Sequence, residues 1–192
     1  MKRISISPYF LIIAAAAILF LPLQWLVAWC IASALHEFFH YIALIICGYG
    51  VYGVQVCHKG IIMITDDLRP HHGIICSLAG PLGGFLMLLF VRVMPRTALC
   101  GAVLSAYNLL PIGSLDGGRA LYSFLTLLLN ETKAQTFMRY IEYAVLCVVY
   151  VVCIYAAIKL HTGLLPIMAA VLLTVRCKKT TCNEAAKAVQ YT

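Results

Sequence analysis

Apolar positions along this chain come in long unbroken runs. They follow neither the one-in-two alternation of a half-buried strand nor the one-face stripe of a soluble helix. Between residues 9 and 47 the only charge is Glu37. That stretch is too long for one bilayer crossing, which needs about 20 apolar residues, and Pro22 divides it into two, 8–22 and 24–47. Further runs predict crossings at 73–93, closed by Pro95, and at 97–114, 138–158 and 163–176. Residues 50–68 break the pattern: two β-branched runs, 51–57 and 61–65, flank His58-Lys59-Gly60 and predict a hairpin. The expected fold is an all-α polytopic membrane protein of about six transmembrane helices. It carries a small membrane-associated β-hairpin between the second and third helices. Residues 1–176 form this core, and 177–192 a short basic cytoplasmic tail.

Composition supports the membrane reading and excludes alternatives. Hydrophobic residues are 63% and charged residues 11%, with a mean hydropathy of +0.95; a soluble domain is roughly 45–50% apolar and about 25% charged. Disorder, coiled coil and a free nucleic-acid-binding domain are ruled out, and no nucleic acid is expected as a partner. The net charge of +7 has a topological origin. With the N-terminus in the cytoplasm, eleven of the fourteen basic residues fall inside, leaving Arg92, Arg96 and Lys159 outside. Lys2 and Arg3 ahead of an apolar run resemble a secretory signal, but the run continues into a second crossing and is read as a retained helix. The nine cysteines are scattered through apolar runs without a C-x-x-C pair, which fits small buried hydrophobes rather than a disulfide framework.

Of seven acidic residues, two are expected in apolar surroundings, Glu37 and Asp116. Ionisable groups at membrane depth are costly, and each is a functional hypothesis. Glu37 lies in His36-Glu-Phe-Phe-His40. Residues i and i+4 share a helix face, so both imidazoles can reach one metal ion while the intervening carboxylate meets a water from the side. That is the H-E-x-x-H arrangement of zinc hydrolases: two ligands and a general base. Histidines bonded to neighbouring helices are the plainer reading, but two histidines and a glutamate at this spacing outweigh it. Catalytic zinc usually takes three protein ligands. Asp116, in Leu115-Asp-Gly-Gly118, is the candidate for the third, at a depth similar to His36 and His40. Its plainer role is a helix N-cap for a segment starting at Gly117.

His36-Glu-Phe-Phe-His40 followed by Asn108-Leu-Leu-Pro111-Ile-Gly-Ser-Leu115-Asp116-Gly-Gly118 resembles the site-2 protease family of intramembrane zinc metalloproteases, peptidase family M50. Leu78-Ala-Gly-Pro-Leu82 and Asn108-Leu-Leu-Pro111 are most similar to its stage IV sporulation protein FB branch. The resemblance covers about residues 8–130. It implies that His36, His40 and Asp116 hold one zinc ion per chain and that Glu37 activates the attacking water. It implies that Asn108 positions the substrate backbone or stabilises the developing oxyanion. It also implies that the hairpin receives an unwound substrate as an added strand. The expected activity is hydrolysis of peptide bonds in or near transmembrane segments of membrane-protein substrates, at the cytoplasmic side of the cell membrane. A regulatory membrane protein is a possible partner.

The chain departs from the family pattern at Phe39, where a small residue is common. It departs also at Gly84, where asparagine is common, and at Ser114, where proline often stands. No room is found for a PDZ domain or for the cystathionine-synthase-like (CBS) domain of the sporulation branch. The alternative function is a pseudoprotease of the same fold that captures membrane segments without cutting them. A metal transporter would need more ionisable residues deep in several crossings.

Overall fold

The computed structural model describes residues 3–6, 22–57 and 60–159, together with Val171 and Thr174. The expected crossings at 8–22 and 163–176 therefore lie outside the described residues, apart from Pro22, Val171 and Thr174, as do the hairpin tip and the 177–192 tail. The chain divides into two units, Met1–Leu109 and Leu110–Thr192.

In the first unit, helix α1 spans Leu23–Ile46, close to the predicted 24–47. Pro22 sets its start: extended at ψ 136°, it offers its carbonyl to Trp25 and Leu26 N–H at 2.9 and 3.1 Å. Gly48 sets its end. At φ +83° it takes the left-handed conformation that glycine adopts without strain. This lets Gly48 N–H reach Ile45 O and Tyr49 N–H reach Leu44 O, both at 2.9 Å, closing a Schellman motif. Twenty-four residues rise about 36 Å, enough to cross a bilayer core of about 30 Å.

Helix α2, Pro70–Leu86, continues as a 3₁₀ turn over Met87–Phe90. It starts three residues earlier than expected because a proline suits the first helical position, where no N–H is needed. Helix α3 spans Pro95–Asn108. The expected run at 97–114 is thus helical only to Asn108. Fourteen residues rise only about 21 Å, too short for the bilayer core, and Pro111 turns the preceding backbone away from helix.

These three helices pack on small residues, as membrane helices must when no water drives them together. A Cβ on Gly80 would strike the His40 imidazole, one on Gly83 the Phe39 ring, and one on Gly84 the Ser105 hydroxyl and Gly101 carbonyl. Two of the departures noted above are thereby accommodated: the bulk of Phe39 rests against Gly83, and Gly84 gives Ser105 its place. Above this seam, Ala28, Ala32, Met87 and Cys100 form one buried cluster; Ala43, Leu44 and Cys76 form another.

The predicted hairpin is present, as β2 (Gly53–Cys57) antiparallel to β3 (Gly60–Ile64), with Cys57 paired to Gly60. It is not alone. Strand β1, Arg3–Ile6, joins β2 in parallel, from Arg3↔Gly53 to Ile6↔Val56, making a three-stranded sheet of order β1-β2-β3. The sheet is tied to the helices at its base. Tyr52 donates its hydroxyl to Asp66 Oδ2 at 2.8 Å, and this acceptor, with the carboxylate's charge, raises the tyrosine's pKa. Arg69 N–H donates to the Tyr49 hydroxyl at 3.1 Å, which also lies 3.1 Å from His72 Nδ1. His71 stacks edge-on against His72. Through Tyr49, these contacts tie the start of α2 to the end of α1.

In the second unit, helix α4 covers Asp116–Leu128 and helix α5 Glu131–Lys159. The sequence reading places no separate helix over residues 116–128. Leu125 of α4 packs with Ala134 and Met138 of α5, beside Leu121 and Tyr122. Among the described residues, Leu23–Ile46, Pro70–Phe90 and Glu131–Lys159 are long and apolar enough to cross a membrane. Their large exposed side chains, such as Phe38, Ile75, Val151 and Tyr155, are the surface a bilayer covers. This is a helical membrane protein.

Candidate metal centre

His36 and His40 lie one helical turn apart on α1, and the turn does bring them together. Their Nε2 atoms stand 3.2 Å apart, with the rings nearly perpendicular at 80°. His36 is buried and His40 half-buried. A tetrahedral zinc with Zn–N bonds of about 2.0–2.1 Å needs its two nitrogens about 3.3 Å apart. The pair meets that spacing, so its donor set fits the ion.

What holds the pair is on α2. His40 Nδ1–H donates to the Cys76 carbonyl at 2.6 Å, which fixes the tautomer with Nε2 as the unprotonated nitrogen, the one turned toward His36. Gly80 leaves the cradle in which that ring sits. Pro81, next in the helix, has no N–H to give Ser77 O, so the helical ladder is already weakened beside the carbonyl that His40 uses. The stretch Leu78-Ala-Gly-Pro-Leu82 thus has a local role: one residue gives room and the next loosens the ladder. Cys76 as an acceptor was not legible in the sequence, because a backbone atom carries no residue signal.

Asn108, the last residue of α3, places Nδ2 at 3.5 Å from His36 Nε2, at the outer limit of hydrogen bonding. It therefore stands beside His36. Glu37, half-buried, lines a cavity of about 320 Å³ bounded also by Phe38, Tyr41, Val54 and Met63. Val54 and Met63 are direct partners across β2 and β3, so one face of the hairpin forms the far wall. The walls of the cavity are almost entirely apolar.

In the second unit, Asp116 is buried at 7% exposure, the first residue of α4. A helix does begin at this point, with Leu115 as its N-cap and Asp116 in its first turn. A carboxylate in the first turn is favoured by the helix dipole. Arg119 Nη1 lies 3.8 Å from Asp116 Oδ1, one turn on, with its own side chain 56% exposed. Gly118 is required here: a Cβ would collide with the Ile112 carbonyl and the Gly113 nitrogen, which lie directly on the helix.

One polar residue of this unit was missed. Glu142 projects from the middle of α5, and its Oε1 accepts the Gly113 N–H at 2.5 Å. A carboxylate within the predicted 138–158 crossing was the available signal.

No protein-family model and no curated protein matches the chain. A search of solved structures does find a match, the site-2 protease from Methanocaldococcus jannaschii. It aligns with a TM-score of 0.62 at 17% identity, over 89% of this chain and 85% of that one. The chain has a site-2 protease fold. At that identity the likeness concerns the fold, and the chemistry rests on the residues just described.

Proposed function

We propose that this protein is an intramembrane zinc metalloprotease that hydrolyses peptide bonds in or near transmembrane segments. The observation that carries the reading is the His36–His40 pair, with Nε2 atoms converging at 3.2 Å and a glutamate between them on the same helix. A likeness in fold to a site-2 protease supports it.

His36 and His40 would hold the ion through Nε2, and Asp116 would supply a carboxylate oxygen as the third ligand. Zinc, when bound, supplies a Lewis acid that polarises a carbonyl and makes water more acidic. Glu37 takes the proton from the attacking water and returns it to the leaving amine. Asn108, beside His36, donates its amide N–H to the substrate backbone or the developing oxyanion. Among the described residues β3 has a strand on one side only, and its other edge receives an unwound substrate as a further strand. Uncoiling is a physical requirement, since a helical peptide bond is shielded from attack. The cavity beside Glu37 takes apolar side chains of the bound segment. The bias in basic residues supports a cytoplasmic N-terminus with the site toward the cytoplasm. The sporulation FB-like assignment is supported by Leu78–Leu82 and Asn108–Pro111.

The test is zinc content per chain of the detergent-purified protein, followed by cleavage of a panel of single-span reporters in liposomes. The parent and Glu37→Gln are expected to carry near one zinc, with His36→Ala losing it. Glu37→Gln should cut at least about 100-fold more slowly. A folded parent without zinc sinks the reading, and so does a Glu37→Gln variant that cleaves as the parent does.

A further inference from the structure

We propose that Glu142 is the positioning residue for Asp116: from a membrane-crossing helix it clamps the loop that delivers that carboxylate. The inference rests on the proposed role of Asp116 as a metal ligand.

A carboxylate in a crossing helix is expensive and persists where it has a specific partner. Here the partner is one backbone N–H, that of Gly113, three residues before Asp116. A bond from an N–H to a carboxylate is short and roughly twice as strong as a neutral one. Gly113 fits this contact because it lacks a side chain; a Cβ there would stand 2.8 Å from the same Oε1.

The segment between Gly113 and Asp116 has little freedom to absorb a displacement. Ile112 N–H bonds Leu110 O and Leu115 N–H bonds Ile112 O, each at 2.8 Å, and Arg119 N–H bonds Leu115 O at 3.0 Å in the first turn of α4. Ile112 and Leu115 are anchored at 0% and 1% exposure. On its other side the loop lies so close to α4 that only glycine fits at 118. The loop is thus held between α4 and the Glu142 carboxylate, and a shift at Gly113 passes directly to Asp116. Arg119, one turn after Asp116, has a largely exposed side chain that is poorly placed to hold the loop.

The experiment measures zinc affinity by chelator competition on the full-length protein in detergent. Thermal unfolding and amide exchange over residues 111–116 are measured on the metal-free form. Glu142→Leu is expected to weaken zinc binding about 10–100-fold, the usual cost of losing a group that orients a ligand, and to speed exchange at Gly113. Glu142→Gln, whose amide oxygen still accepts, should recover most of both. In an Asp116→Asn background, Glu142→Leu should weaken zinc no further. Unchanged affinity in Glu142→Leu, with only a lower unfolding temperature, overturns the proposal. So does a loss that Gln fails to recover, since the charge and not the bond to Gly113 would then be acting. Parent-like zinc binding by Asp116→Asn alone refutes the ligand role of Asp116 and this proposal with it. That outcome is read from the parent and Asp116 variant without any change at Glu142.

Discussion

The two histidines and Asp116 are held by opposite means. His36 and His40 stand in the interior of a 24-residue helix, so their mutual geometry is a property of helical pitch. The neighbouring helix adds a backbone acceptor and a glycine cradle. Asp116 stands at the first residue of a 13-residue helix, behind a loop without regular structure. Its position depends on contacts to the loop before it: Gly118, two residues on, lies against the loop, and Glu142, distant in sequence, bonds it. A ligand set by pitch is robust to most substitutions around it. A ligand set by a clamp fails with the clamp.

The contrast is tested most severely by adding one methyl group to each region. At Gly118 the new Cβ meets backbone, the Ile112 carbonyl and the Gly113 nitrogen, which cannot rotate away. Gly118→Ala is therefore expected to cost about 1–3 kcal/mol or more of stability and to displace Asp116, with zinc affinity falling about 10–100-fold. Thermal unfolding and chelator competition in detergent check both. A variant with parental stability and affinity would show that the loop is not pressed on α4.

Gly80→Ala is the matching probe of the histidine region, with a smaller expected effect. Its Cβ meets the His40 imidazole, the far end of a side chain with two rotatable bonds. The ring can tilt, at the expense of its 2.6 Å bond to Cys76 O. Zinc affinity should fall by about 10-fold, the low end for disturbing an orienting hydrogen bond, with little change in unfolding temperature. A larger loss of stability than in Gly118→Ala would reverse the comparison.

The same division explains what the sequence revealed. His36, Glu37 and His40 were legible because a spacing of four residues is itself a geometry. The start of α1 was legible from Pro22, and the hairpin from its paired β-branched runs. Strand β1 was not, since nothing in Arg3–Ile6 announces a partner fifty residues away. The early end of α3 was overrun because apolar residues continue through Leu109, Leu110 and Ile112 beyond the last helical residue. Apolar periodicity records burial as well as helix, and Ile112 and Leu115 are buried in a loop. Asn108 and Asp116 were found through a motif, whereas Cys76 O and Glu142, which hold the local geometry, belong to no spacing rule.

The smallest effect is expected at Arg119, and it sharpens the comparison by what it leaves intact. Its guanidinium lies 3.8 Å from Asp116 Oδ1 but is 56% exposed, so water and salt screen the pair. Exposed ion pairs contribute about 0–1 kcal/mol. If a charge near Asp116 were what positions it, Arg119→Ala would weaken zinc binding as much as Glu142→Leu does. If the loop is clamped from α5, Arg119→Ala should leave zinc affinity within about fivefold of the parent, the equivalent of that range at 25 °C. What remains of its effect should fade between low and high salt, whereas the loss in Glu142→Leu, which comes from a part-buried bond to backbone, should persist. Chelator competition at two salt concentrations separates the two. A salt-insensitive loss at Arg119 equal to that at Glu142 would make Asp116 a residue held by its own helix, as the histidines are.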